Sequence, residues 1–200
     1  KDSFSANYHI DDGERITPSR SPVFTGLARL RSQVLGLQET HIFSATVLNV
    51  ATAGFSRAQS RSGTVPKVPL PANLFLVPGT QSPGTLNIGA ALSDIGASVT
   101  AAGGGDLTAT VRNFFTFSDD VRWIRGNHSW SAGFWIQRIQ TNNSGHGIGA
   151  SQWPGEVRYA SLLTFLQDRP RLFQTMSNLT PLGWRTTEAA WYIQDEFKLK

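Results

Sequence analysis

The feature that most constrains this chain is a side-chain period of two, carried by about six segments of roughly ten residues and interrupted by connections of very unequal length. In 3–10, Phe4, Ala6, Tyr8 and Ile10 alternate with Ser3, Ser5, Asn7 and His9, and Asp11-Asp12-Gly13-Glu14 reads as the turn that follows. In 27–41 the even positions Ala28, Leu30, Ser32, Val34 and Gly36 are small or apolar, while Arg29, Arg31, Gln33, Glu39 and His41 occupy odd ones. A compact turn at Phe43-Ser44-Ala45-Thr46 leads into 47–57, where the alternation is weaker. Segments 114–124 and 129–140 flank a turn at Arg125-Gly126-Asn127-His128. The second of them sets Trp130, Ala132, Phe134 and Ile136 against Ser131, Gly133, Trp135 and Gln137. The last, 187–197, sets Ala189, Trp191, Ile193 and Phe197 against Glu188, Tyr192, Gln194 and Glu196.

Short connections follow His41 and Ile124, and long ones follow Ile10, Arg57 and Gln140, so the two kinds alternate. The longest, 58–112, is rich in Pro and Gly and reads as one loop; 141–186 is a second, with a short strand predicted at Val157–Tyr159 and about two helical turns at Ser161–Gln167. Alternating strands with tight turns at one end and long loops at the other are the pattern of a transmembrane β-barrel. Such strands need about 9 to 11 residues to cross the hydrocarbon. Their backbone groups must all be paired, which a closed barrel achieves.

Composition agrees. A charged fraction of 16% is below the roughly 25% of ordinary soluble domains, and 21 aromatic residues, twelve Phe, six Trp and three Tyr, are too many for a disordered chain. No window approaches ~18 consecutive apolar residues, which excludes a helical span. The aromatics Trp123, Trp130, Trp191, Phe117 and Phe43 are expected near strand ends, at headgroup level. The expected fold is therefore all-β: an antiparallel up-and-down transmembrane β-barrel, here a partial wall of about six strands with long extracellular loops. Six strands cannot enclose a useful bore, so the chain is expected to be a piece of a longer wall with a sheet edge on each side. The other arrangement that fits the alternation is a β-sandwich, as in a secreted carbohydrate-binding module or adhesin. The two differ in whether Trp130, Phe134 and Trp191 point outward to lipid or meet across a core.

Three stretches carry a family resemblance. Asp119, Trp123, Gly126, His128 and Gly133 fall as in the D-x-x-x-W-x-x-G-x-H-x-x-x-x-G hairpin of TonB-dependent receptors. His41, Phe43, Ser44, Thr46 and Asn49 resemble that family's H-x-F-S-P-T-x-x-N periplasmic turn, with Ala45 in place of Pro. Tyr192, Gln194 and Asp195 resemble its Y-x-Q-D-x-W strand, with Phe197 in place of Trp. The chain most resembles the Oar-like branch. The resemblance implies part of a 22-stranded, plugged barrel in the outer membrane of a Gram-negative bacterium. It implies as partners the membrane lipid, a plug domain and the TonB complex, the last two through parts of the parent absent from this chain, and a transported ligand that it does not identify. The plug and N-terminal domains would lie outside these 200 residues, so this piece is expected to have no transport activity alone.

Arg29, Arg31, Gln33 and Glu39 in the second segment, with Trp135 and Gln137 in the fifth, are the candidate lumen-facing contacts for ligand or plug. No catalytic, cofactor or metal site is expected. There is no Cys, the four histidines His9, His41, His128 and His146 form no H-x-x-x-H pair, and Asp11, Asp12 and Glu14 lack the full spacing of a calcium loop. Gly145, Gly147 and Gly149 do not complete a phosphate-binding G-x-G-x-x-G. Asp119 and Asp120 are adjacent in a strand and so point to opposite faces, poor geometry for shared acid–base work. The net charge of +4 comes from 14 Arg and four Lys spread along the chain and interleaved with acids, so no nucleic-acid-binding stripe is expected.

Overall fold

The computed structural model of the chain describes residues 1–19, 22–80, 82–89, 100–104 (backbone only), 108–143, 154–175 and 181–199. The strands are β1 (Asp2–Pro18), β2 (Phe24–Ser44), β3 (Val47–Pro66), β4 (Gly84–Ile88), β5 (Thr100–Gly104), β6 (Thr108–Arg125), β7 (His128–Asn143), β8 (Glu156–Tyr159), β9 (Leu172–Gln174) and β10 (Leu182–Phe197). Six of them form one all-antiparallel sheet in the order β1-β2-β3-β6-β7-β10. Sequential strands are neighbours throughout this sheet, which makes it an up-and-down meander. The loop tip around His146 and Gly145–Gly149, singled out in the sequence, lies outside the described residues.

The strands run for 16 to 21 residues, well past the ten or so that the alternation of apolar side chains marks out. The acidic segment Asp11–Glu14 is not a turn: β1 continues through it to Pro18, with Asp12 opposite Arg31 and Glu14 opposite Arg29. Charge pairing across the ladder holds as strand a composition that reads locally as loop. Likewise β3 continues past Arg57 through Gln59-Ser60-Arg61-Ser62, paired on both sides by β2 and β6. The first connection is therefore only residues 19–23, and the large ones are 67–107 and 144–181.

At the other end of the sheet the turns are tight. Ala45-Thr46 joins β2 to β3, with a register shift between Ile42 and Ser44 that leaves Phe43 as an extra residue. The Ser44 hydroxyl accepts from the Thr46 amide at 3.2 Å, a local bond that helps fix the turn. Gly126-Asn127 joins β6 to β7, with Gly126 at φ 61° in the first central position. Positive φ at that position alone is the type II′ turn, whose twist matches its flanking strands.

The two large connections contribute to a second sheet, ordered β5-β4-β8-β9, in which β4 and β8 run parallel. Thus segments far apart in sequence are knitted into one unit. Ile88, Val157 and Tyr159 form its core, with Leu86 and Phe165 against them; Phe165 belongs to α1 (Leu162–Leu166), whose N-cap Ser161 makes a capping box with Thr164. The buried Glu156 carboxylate accepts from Asn87 at 2.6 Å, Arg158 at 2.7 Å and Gln174 at 2.7 Å, so it ties together β4, β8 and β9. Burial alone would raise its pKa, but these donors, chiefly Arg158 and then Gln174, together outweigh burial and hold it below the usual carboxylate range.

A lowered folded-state pKa means stability that is present at neutral pH and lost as pH falls through the folded value. Hydrogen exchange at the β4–β8 ladder, corrected for intrinsic rates, should lose protection on acidification toward that value. Glu156→Gln should start lower and show a flatter profile. Equal pH profiles for both proteins would contradict this role.

Candidate functional site

The register assigns every strand residue of the main sheet to one of two faces. Following the pairs across the sheet, Phe4, Glu39, Ala51, Asp119, Phe134 and Trp191 share a face, as do Ala6, Leu37, Ala53, Phe117, Ile136 and Ala189. Tyr8, Leu35, Phe55 and Phe115 add a third row to the same face. These rows make a continuous apolar belt, with Phe55–Phe115 and Phe117–Phe134 ring pairs 5.1 and 5.6 Å apart. Phe4, Tyr8, Phe115, Phe117, Phe134 and Ile136 are exposed, as is Trp191 to 81%, whereas Leu35, Leu37, Ala51, Ala53 and Phe55 are half-buried. The opposite face carries Ser3, Ser5, Asn7, Gln38, Thr52, Thr116, Ser118, Asp120, Ser131, Gln137, Glu188 and Gln194, with a minority of apolar residues such as Val34 and Phe114.

The belt is oblique to the hydrogen-bond rows. Its upper edge on β1 is Ile10, but the row of Ile10 passes through Gln33, Arg57, Asn113 and Gln140 to Arg185. On β10 the edge is Ala189, whose row returns to Ala6, four residues lower on β1. Strands ~4.8 Å apart and tilted by ~40° should slide a level band by about one residue per strand. The drift has that order of magnitude, so a band oblique to the rows can become level once the strands tilt.

Below the belt, toward the tight turns, polar side chains join neighbouring strands. Asn49 Nδ2 donates to the Asp119 carboxylate and, at 3.1 Å, to the Asp120 carbonyl. His41 pairs with Asp2, and His128 Nδ1 lies 2.6 Å from Asp195 Oδ2. His128 also packs against Trp130 and Phe197, and Arg125 sits 5.7 Å over the Trp123 ring. Trp123, Trp130 and Phe43 thus lie at the tight-turn end as expected. Phe117 and Trp191 do not: they lie in the middle of their strands, within the belt.

The six candidate wall residues do not form one set. Trp135 and Gln137 lie on the polar face, where Trp135 stands between Ser118 and Ala190, and Gln137 between Thr116 and Glu188. Arg29, Arg31, Gln33 and Glu39 lie on the belt face. The expectation that they line the same surface as Trp135 is corrected by the register. Alternation within β2 separates two faces but does not say which one the neighbouring strands share. Only Leu35 and Leu37 of β2 fall in the belt; Arg29, Arg31 and Gln33 lie beyond it toward the long connections, and Glu39 at its lower border.

Beside Trp135, and unforeseen in the sequence, Tyr192 reaches across β7 to donate to Asp120 Oδ1 at 2.6 Å. Gly133 lies beneath it: a Cβ there would come within 2.7 Å of the Tyr192 ring and closer still to Asp120. The polar face thus bears an indole, a phenol held by a carboxylate, and the Gln137–Glu188 pair, groups able to hold a polar ligand by hydrogen bonds and stacking. Asp119 and Asp120 do point to opposite faces. Asp2, Glu39 and His41 bring three potential ligand atoms within 4.8 Å of one another, a juxtaposition across two strands that linear spacing does not reveal. Two of the three already bond each other.

The whole chain, residues 1–200, matches the family described as the outer membrane beta barrel domain, and it belongs to that family. No curated protein and no solved structure matches it. The location is therefore the outer membrane, and the sandwich alternative is not favoured. In such a barrel the apolar belt faces lipid and the Ser- and Thr-rich face looks into the lumen.

Two substitutions separate these roles. Phe117→Arg on the belt should cost about 2 to 4 kcal/mol of folding stability in lipid, and Thr116→Arg on the other face far less; equal costs would contradict the face assignment. Gly133→Val should cost about 1 to 3 kcal/mol by overpacking, a penalty that Asp120→Ala, which removes the atom nearest the new side chain, should relieve in the double mutant. Both are read by urea titration in vesicles.

Proposed function

We propose that this outer-membrane wall belongs to a TonB-dependent transporter of the Oar-like kind, in which the polar face surrounds a plug and a ligand passes when TonB transmits energy to that plug. One observation carries the reading: the three motifs that resemble this family, distant in sequence, supply side chains that bond one another. Asn49 of the first bonds Asp119 of the second, and Tyr192 and Asp195 of the third bond Asp120 and His128 beside or within the second. A motif set kept for local turn geometry alone would have no reason to interlock across four strands.

The proposal assigns Trp135, Gln137, Asp120 and Tyr192 to contact with plug or cargo, through hydrogen bonds and ring contacts and without catalysis. Arg29, Arg31, Gln33 and Glu39 are left out of that set by their face. The transported ligand is one able to engage such a surface, and its identity is not part of the proposal.

A photo-crosslinking residue at Gln137 in the intact protein should give an intramolecular link to an N-terminal peptide of the same chain, while one at Ala53 should link to none. The intact protein should also be retained by the immobilised periplasmic domain of TonB. An unplugged barrel that ignores TonB would refute this function while leaving the outer-membrane barrel intact.

A further inference from the structure

A group of four arginines lies on the belt face, where an aqueous ligand is not the natural neighbour. Arg29 and Arg31 of β2 and Arg57 and Arg61 of β3 stand together just beyond the belt residues Leu35 and Phe55, on the side of the long connections. All four are exposed. Arg29 and Arg61 are directly opposite in the ladder, an arrangement of like charges that destabilises a sheet unless it is compensated. The compensation within the chain is partial. Glu14 pairs with Arg29, and Asp12 lies 3.9 Å from Arg31. Among the described residues the side chains of Arg57 and Arg61 have neither ion pair nor hydrogen bond. An open hollow lies at this place, lined by Asp12, Arg29, Arg31, Gln59 and Arg61.

Its position defines the ligand. The long connections of an outer-membrane barrel are extracellular, so these side chains stand at the headgroup level of the outer leaflet, directly above the acyl chains that cover Leu35 and Phe55. Guanidinium groups match phosphate oxygens in charge and in bidentate geometry. We propose that Arg57 and Arg61, with Arg29 and Arg31 beside them, bind the phosphates of an outer-leaflet lipid whose acyl chains lie on the belt. The occupant is a phosphorylated lipid, because the cations adjoin an apolar surface that a free anion would leave uncovered. Asp12 and Glu14 orient Arg31 and Arg29 and limit the net charge to what two further anionic groups offset. The proposal rests on the belt facing lipid, and not on the TonB-dependent reading.

The test uses the intact protein in nanodiscs of phosphatidylcholine doped with diphosphorylated lipid A, or with the same lipid stripped of its phosphates. Native mass spectrometry counts the retained lipid. The wild type should retain the phosphorylated lipid, and Arg57→Gln/Arg61→Gln should weaken retention about 10- to 30-fold. Arg57→Lys/Arg61→Lys should recover much of it, and Arg112→Gln, on the polar face, should change nothing. Heat-modifiable migration on gels checks that each variant is folded. Equal retention of both lipids by the wild type, or an unaffected glutamine variant, overturns the proposal, as does displacement of the lipid by millimolar inorganic phosphate, which would indicate a free-anion site. In a background whose other cysteines, if any, are replaced, a fluorophore on Ala53→Cys reports the face independently. Quenching by brominated acyl chains with no phosphate preference refutes the lipid site alone; no quenching refutes the face assignment and the site with it.

Discussion

Every backbone N–H and C=O that enters hydrocarbon must find a partner, because an unpaired group there costs several kcal/mol and no water is available. The main sheet meets that demand strand by strand through continuous ladders, from Asp2 opposite His41 to Phe197 opposite His128. The rest follows from it. A ladder fixes register, register fixes which side chains share a face, and the shared face decides whether the sheet can live in lipid. Among the described residues β1 and β10 are its edges and pair on one side only, so in hydrocarbon each outer edge needs a strand partner for closure. It also explains why the strands outlast their apolar segments: pairing continues in water at little cost where Arg29–Glu14 and Arg31–Asp12 bridge β1 and β2.

The tilt that closure imposes is written into the side chains. A band of lipid-facing residues parallel to the hydrogen-bond rows would become slanted in a tilted wall, and part of it would leave the hydrocarbon. Here the band slides toward the tight turns from Ile10 on β1 to Ala189 on β10. Below it lie the His41–Asp2, Asn49–Asp119 and His128–Asp195 contacts with Trp123, Trp130 and Phe197. Those aromatic and polar groups suit an interface, where one side of a ring meets acyl chains and its edge meets water.

Much of this was legible in the sequence, and the failures have a common cause. Period-two alternation located all six strands of the main sheet, and the Gly126 and Ala45-Thr46 turns fell where composition placed them. What single-strand reading could not supply was register. Asp11–Glu14 looked like a turn because its partners, Arg29 and Arg31, lie on another strand. Arg29, Arg31, Gln33 and Glu39 looked lumenal because a charged stripe usually is, whereas the sheet places them on the belt face beyond its edge. The Tyr192–Asp120 bond across Gly133 was invisible for the same reason, although Gly133, Asp120 and Tyr192 all lie within or beside recognisable motifs.

The two ends of the wall are stabilised by different means, and the difference bears on what each can do. At the tight-turn end, the joins His41–Asp2, Asn49–Asp119 and His128–Asp195 each link a strand of one two-residue hairpin to a strand outside it, so neighbouring hairpins constrain one another. At the other end, β4 and β8 pair in parallel across segments separated by a whole hairpin, and Glu156 gathers Asn87, Arg158 and Gln174 into one buried network. That unit is held by three short ladders and a small core of Ile88, Val157 and Tyr159, far less burial than a domain usually needs to be stable alone. Its order therefore depends on the strands that carry it. Loss of the β6–β7 register would move the origin of the second large connection relative to the first and separate β8 from β4. Sequence change at the rim is then tolerable only while the wall keeps its register, which makes the polar joints near the tight turns a condition for order at the opposite end.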